Sequence, residues 1–267
     1  MPAILCPRCG KLISSNAPEC PFCGKQRPGM WGLATGLRRL GLRSDFPRLI
    51  MWVCIGVYVL ALASDPAALF QVRGMMGLLA PSRDASVMFG MTGSLLLQAG
   101  HWWTVVTAIY LHGNLLHIFF NMMWVRQLGP VVEDLFGPYR LFVIFTVAGA
   151  AGFLLSAAMG HAFTLGASGS IFGLLAAAIA YGRRTGAHLF TRQFLQWAVV
   201  LFIFGLVFRG VDNWAHAGGF AGGYAMAFLY GLRSGNEGLG SYLLAALCLL
   251  LTVSAFALQA VALVRML

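Results

Sequence analysis

Seven predominantly apolar stretches organise the chain, near residues 48–63, 103–125, 139–159, 168–182, 193–209, 213–232 and 240–263. They approach the roughly 20 apolar residues an α-helix needs to cross the hydrocarbon core of a bilayer. The pattern therefore predicts an all-α membrane protein with seven spans.

Composition supports that reading. With 59% hydrophobic residues, 10% charged residues and a mean hydropathy of +0.79, the 267-residue chain is too apolar to hide its surface in one water-soluble core. The first 20 residues include Cys6, Cys9 and Cys20 but no uninterrupted apolar run, so a cleavable secretory signal is not expected and the first span acts as its own insertion signal. The 18 Lys and Arg residues are unevenly placed. Arg8, Lys11, Lys25, Arg27, Arg38, Arg39, Arg43, Arg48, Arg126, Arg140, Arg183, Arg184, Arg192 and Arg233 fall on one side, and only Arg73, Arg83, Arg209 and Arg265 on the other. Basic loops stay cytoplasmic, so the expected localisation is a prokaryotic plasma membrane with the N-terminus inside and the C-terminus outside. This asymmetry beside anionic headgroups accounts for the net charge of +10 without a nucleic-acid partner.

Ahead of the first span stand two knuckles ten residues apart, Cys6-Pro7-Arg8-Cys9-Gly10 and Cys20-Pro21-Phe22-Cys23-Gly24. Four thiolates can close a tetrahedral zinc site, and each glycine lets backbone N–H groups turn toward the sulfurs. A cytoplasmic location disfavours disulfides, and a thioredoxin-like context for a redox pair is missing. Residues 1–26 thus read as a cytoplasmic zinc ribbon resembling the short heads of many membrane proteins. Its metal is structural, since Cys6, Cys9, Cys20 and Cys23 leave no position open. Residues 27–47 read as a basic linker along the membrane surface. Cys54 and Cys248, each alone inside a span, read as packing residues.

Polar side chains inside a bilayer are costly and mark either function or helix contact. Three clusters stand out. In the second run, Asn114, His117 and Asn121 share one helical stripe, with His112 rotated off it toward the outer surface. The fourth run opens Gly166-Ala167-Ser168-Gly169-Ser170-Ile171-Phe172-Gly173, a serine among small residues where free N–H groups suit a developing oxyanion. The sixth carries His216, Gly219 and Gly223 on one stripe, so the glycines admit a neighbouring helix until the imidazole reaches a side chain on it. Each cluster alone reads equally as helix packing or interhelical hydrogen bonding.

The ordered set His117-x-x-x-Asn121, Gly166-Ala167-Ser168-Gly169 and Ala215-His216-x-x-Gly219-x-x-x-Gly223, on the second, fourth and sixth spans, resembles the rhomboid family of intramembrane serine proteases. The resemblance covers residues 48–232, a six-span catalytic core, and leaves residues 233–267 as a seventh transmembrane helix. It implies Ser168 as nucleophile and His216 as general base. It also implies an oxyanion site of His117, Asn121 and the Ser168 N–H, with Phe172 packing under the histidine and no cofactor in catalysis. The implied substrates are membrane-anchored proteins cut near the outer interface. Phe194, Trp197, Phe202, Phe204 and Phe208 of the fifth span, which read as lipid-facing from the residues alone, would form with the 209–213 loop a lateral gate. The chain departs from the family in placing Thr104 after Trp103, where an arginine is usual.

Only eight acids exist and none lies deep in a span, so a dyad is expected. Asp212, four residues before His216, reads as the N-cap of the sixth helix. Two other readings remain: a catalytically inactive relative that binds membrane clients, against which the presence of both Ser168 and His216 counts, and a transporter whose histidines relay protons.

Overall fold

The computed structural model describes residues 3–6, 9–14, 17–24, 45–67, 77–208, 210–231 and 237–264, so most of the expected linker lies outside the described residues. Near the N-terminus, β1 (Ala3–Leu5) and β2 (Leu12–Ser14) pair antiparallel, with Ile4 opposite Ile13.

Helix α1 (Phe46–Ser64) starts where Asp45 accepts a hydrogen bond from the Arg48 N–H at 3.1 Å, with Pro47 in the first turn. An irregular segment follows, holding α2 (Arg83–Met88), α3 (Ser94–Gln98), α4 (Thr104–Thr107) and a 3-10 turn (Ala108–Tyr110). Five long helices complete the bundle after α5 (Leu115–Phe136): α6 (Pro138–Ala158), α7 (Ser168–Thr185), α8 (His188–Val207), α9 (Asn213–Tyr230) and α10 (Leu239–Val264). The protein is a multi-pass integral membrane protein.

The second predicted span is corrected. Thr104–Tyr110 and Leu115–Phe136 meet at 90° instead of forming one helix across 103–125. The cause is Asn114, which takes an extended conformation and caps α5 by accepting from the His117 N–H at 2.7 Å. Its side-chain oxygen serves as that cap.

Helices α1, α6, α8 and α10 are each long and apolar enough to cross a membrane, and the bent pair adds a fifth. Helices α7 and α9 replace apolar bulk with Gly, Ala and Ser. For α7 this carries no solvation cost, because residues 169–180 and 182 are all buried by neighbouring helices. Small residues let α6, α7 and α9 approach backbone to backbone. A Cβ on Gly223 would fall on the Gly173 backbone, one on Gly219 on the Gly169 carbonyl, and one on Gly152 within 2.5 Å of the Ala215 carbonyl oxygen.

Helix α10 packs through Ser241, Ala245, Cys248, Thr252, Ala255 and Gln259, a seam stepping by fours and threes. Cys54 and Cys248 are buried, as expected of packing residues. At the end of the bundle away from Ser168, Glu237 accepts from the Arg140 N–H at 2.8 Å, and Arg140 Nε donates to Ser241 Oγ at 3.0 Å.

Replacing Gly223 with Val should force α9 off α7 and destabilise the detergent-solubilised protein by about 1–3 kcal/mol, as overpacking does. Gly56→Ala, on an exposed helical face with nothing within 4 Å of the added carbon, should not lower the thermal midpoint, since alanine is the better helix former. Equal midpoints for the two variants would show that the glycine contact does not hold the bundle.

Candidate active site

Ser168 is the first residue of α7, and no side chain caps that terminus, so its N–H has no partner within the helix. The approach of α9 brings His216 Nε2 to 2.9 Å from Ser168 Oγ. Ser168 is half-buried and His216 buried at 4% exposure, so the hydroxyl is the reachable member of the pair. Phe172, one turn on from Ser168, stacks under the imidazole with ring centres 4.3 Å apart and planes 16° from parallel. The ring is thus held on one face while its edge meets the serine.

The other ring nitrogen, Nδ1, lies 3.0 Å from Asn213 Oδ1, and Asn213 Nδ2 donates to the Phe202 carbonyl at 3.2 Å. An amide oxygen can only accept, so Nδ1 carries the ring proton and Nε2 is left with a lone pair facing the serine. Asn213 therefore sets the tautomer that a base needs, a role the sequence reading did not assign. Its signal was modest: an amide three residues before His216 at a helix start, where it reads as an end-of-helix polar residue. Asp212 does cap α9, accepting from the Ala215 N–H at 3.0 Å. Its second oxygen takes the Ser156 hydroxyl, and His161 Nδ1 lies 3.7 Å from the first.

His117 faces the same site. The Gly113 N–H donates to its Nδ1 at 3.3 Å, which puts the neutral ring's proton on Nε2. Nε2 looks onto Gly166, where a Cβ would stand only 2.6 Å away, and the φ of +123° there also requires glycine. His117 Nε2–H is thus a donor beside the strand that leads into Ser168. Asn121 is buried and uses one amide hydrogen on the His117 carbonyl at 2.8 Å, leaving the second. His112 is buried and packs edge-on against His117 at 5.1 Å between ring centres. The turn at residues 111–114 folds it inward.

Thr104, standing where the family's arginine would, donates to the His101 carbonyl at 2.6 Å and pairs with Thr92 Oγ1 at 2.9 Å. Phe202 and Phe204 of α8 and Phe208 just after it are exposed, as a lipid-facing run requires. Phe194 is not: it is buried against Phe190 and Trp197.

A second cluster lies in the N-terminal module. The sulfurs of Cys6, Cys9, Cys20 and Cys23 all lie within 4.8 Å of one another. Cys6 and Cys23 are 3.6 Å apart, and Cys9 and Cys20 3.7 Å. A tetrahedron with Zn–S bonds of about 2.3 Å has edges of roughly 3.8 Å, so the donor set fits zinc. Both knuckles close alike, with the Gly10 N–H on the Cys6 carbonyl at 2.9 Å and the Gly24 N–H on the Cys20 carbonyl at 3.0 Å.

Comparison with known proteins matches the Rhomboid domain to residues 99–233. Over 171 residues the chain is 32% identical to Rhomboid protease GluP of Bacillus subtilis (strain 168), covering 62% of this chain and 33% of that one. Over 192 residues it is 30% identical to RHOMBOID-like protein 5 of Arabidopsis thaliana, covering 64% and 60%. Over 136 residues it is 30% identical to Rhomboid-like protease 5 of Toxoplasma gondii, covering 48% and 16%. The chain thus spans less than two thirds of the length of each.

If Asn213 fixes the His216 tautomer, Asn213→Ala should slow covalent labelling of Ser168 by a fluorophosphonate about tenfold or more, and Asn213→Asp should restore most of the rate. Asp212→Asn preserves a good cap and should retain at least roughly a tenth of the wild-type rate. Near-total loss in folded Asp212→Asn protein would make the aspartate a member of the reacting group.

Proposed function

The chain belongs to the rhomboid family, and from that premise we propose that it is an intramembrane serine endopeptidase cleaving membrane-anchored proteins through a Ser168–His216 dyad. The observation that carries the reading is the 2.9 Å bond between Ser168 Oγ and a histidine whose other nitrogen is bound by an acceptor. The catalytic core is residues 48–232. Residues 1–26 form the ribbon, 27–47 the linker and 233–267 the seventh span.

As Ser168 Oγ attacks the substrate carbonyl, its proton passes to His216 Nε2. The carbonyl π pair moves onto oxygen, which the Ser168 N–H, His117 Nε2–H and the free Asn121 amide hydrogen receive. Collapse of the adduct breaks the C–N bond, and His216 returns the proton to the leaving amine. Water, deprotonated by the same nitrogen, then hydrolyses the acyl-serine. Phe172 holds the ring plane throughout, while Gly166 and Gly169 keep the approach to Ser168 clear, and Gly219 and Gly223 hold α9 close.

A regular helix presents no free carbonyl, because its backbone groups bond internally. Substrates are therefore membrane-anchored segments that unwind near the outer interface. The distribution of basic residues supports a cytoplasmic N-terminus, with Ser168 toward the outside. Helix α8 is bound chiefly by α7 and meets α9 mainly through Asn213, which supports lateral entry past the exposed Phe204 and Phe208. The ribbon cysteines hold structural zinc, which takes no part in the reaction.

With a single-span substrate in detergent or vesicles, cleavage and fluorophosphonate labelling should both vanish in Ser168→Ala and His216→Ala. His117→Ala or Asn121→Ala should each lower kcat by about 10²–10³, the usual loss for one oxyanion donor. Cleavage that persists in Ser168→Ala would refute the mechanism. Absence of any cleavage by wild-type protein, with client capture intact, would favour an inactive relative, and ion flux surviving Ser168→Ala a transporter. Purified protein should contain one zinc per chain, lost in Cys9→Ser/Cys20→Ser while core cleavage remains; a metal-free wild type would remove the zinc assignment.

A further inference from the structure

Helix α10 lies beyond the matched domain, yet its buried seam ends in a polar residue where packing alone would not place one. Gln259 is buried at 8% exposure, the last position of the α10 seam. Its Oε1 accepts from Trp103 Nε1 at 2.9 Å, and its Nε2 donates to the carbonyls of Val87 at 3.0 Å and Met88 at 3.1 Å. Those two carbonyls lie in the last turn of α2, where the Val87 carbonyl also accepts from the Gly90 N–H at 3.0 Å, so the amide adds to the hydrogen bonding that ends the helix. A single amide therefore holds together two places in the 83–107 segment that are fifteen residues apart.

The contacts continue toward the serine. Gly90, two residues after Met88, has a φ of +96°, and a Cβ there would meet both Thr107 and Gln259. The Thr107 hydroxyl donates to the Gly90 carbonyl at 2.7 Å. One residue on, the Ala108 carbonyl accepts from the Gly166 N–H at 2.9 Å, and Thr92 exchanges backbone hydrogen bonds of 3.1 and 2.7 Å with Thr164. Residues 164–166 are thus fastened at two points to the segment that Gln259 clamps, and Ser168 follows two residues later. Tyr110 packs on Phe256 of α10 at 5.9 Å, giving the attachment a second footing.

We propose that Gln259 is a positioning residue: the seventh helix clamps the 83–107 segment through it and so holds the strand at 164–166 and the Ser168 terminus in reactive geometry. The role rests on the protease reading above. Gln259 itself touches no reacting atom. Its loss displaces the serine terminus and its oxyanion donors without altering the surface on which α8 meets substrate, so it acts on the chemical step more than on substrate binding. A displacement of about 1 Å at a reacting group can lower a rate by as much as about 10².

The test uses the full chain and four variants: Gln259→Met, which keeps bulk but removes all three bonds; Gln259→Glu, which keeps the acceptor for Trp103 but loses the donor; Trp103→Phe; and Val253→Ala on the exposed face of α10 as control. Fluorophosphonate labelling rate, kcat and KM on a single-span substrate, and amide hydrogen exchange are measured for each. In Gln259→Met, labelling and kcat should fall together by about tenfold or more, with KM changed less than about twofold. Exchange should quicken in 83–107 and 164–166 and stay unchanged in α8. Gln259→Glu and Trp103→Phe should each give part of the loss, and Trp103→Phe should add little to Gln259→Met. If Gln259→Met does not fold, the two partial variants decide. Wild-type rates and exchange in those variants, or a rise in KM alone, would overturn the proposal. Should wild-type protein neither label nor cleave, the protease reading fails on its own account, while the exchange pattern still upholds or refutes the clamp.

Discussion

The direct backbone contact between α7 and α9 is the constraint on which the remaining structure depends. A Cβ on Gly219 or Gly223 of α9 would collide with the backbone of Gly169 or Gly173 of α7, at distances no side chain tolerates. The bilayer supplies little hydrophobic drive for such association, since lipid tails are as apolar as the helices themselves. Close van der Waals packing does this work, and it fixes the spacing at which a serine on one helix meets a histidine on the other. Gly149 and Gly152 of α6 extend the same contact to a third helix.

Around that contact the polar groups are provided with partners in layers. His216 has the serine on one nitrogen and Asn213 on the other, while Asn213 reaches across to a carbonyl of α8. His117 takes a backbone donor on one nitrogen and so presents a proton from the other. Neither imidazole tautomer depends on a carboxylate. In a low-dielectric setting, a buried charge beside the base would carry a desolvation penalty that an amide avoids. Asp212 remains at the rim, serving the helix terminus, Ser156 and His161.

Much of this was legible in the chain because helical periodicity marks faces. The stripe His216, Gly219 and Gly223, the small residues about Ser168 and the paired cysteine knuckles identified the α7–α9 contact, the candidate pair and the thiolate cluster. What periodicity does not carry is the identity of a partner on another element. Asn213 was not singled out because its value depends on which way the His216 ring is turned. The 90° break before α5 escaped because Gly113 and Asn114 lie inside an apolar run, where a cap looks like an interior polar residue. Phe194 was assigned to a lipid-facing surface, whereas packing against Phe190 and Trp197 buries it. Gln259 reads as one amide in a long apolar helix, and its partners stand 156 to 172 residues earlier.

The order in which these helices leave the ribosome gives the α7–α9 glycine contact a temporal meaning. Ser168 is synthesised 48 residues before His216, and neither the imidazole nor the glycines that seat it exist while the first five long helices are entering the membrane. A nascent chain therefore holds Ser168 without its imidazole partner. The Ser168–His216 contact can form only when the penultimate long helix has docked.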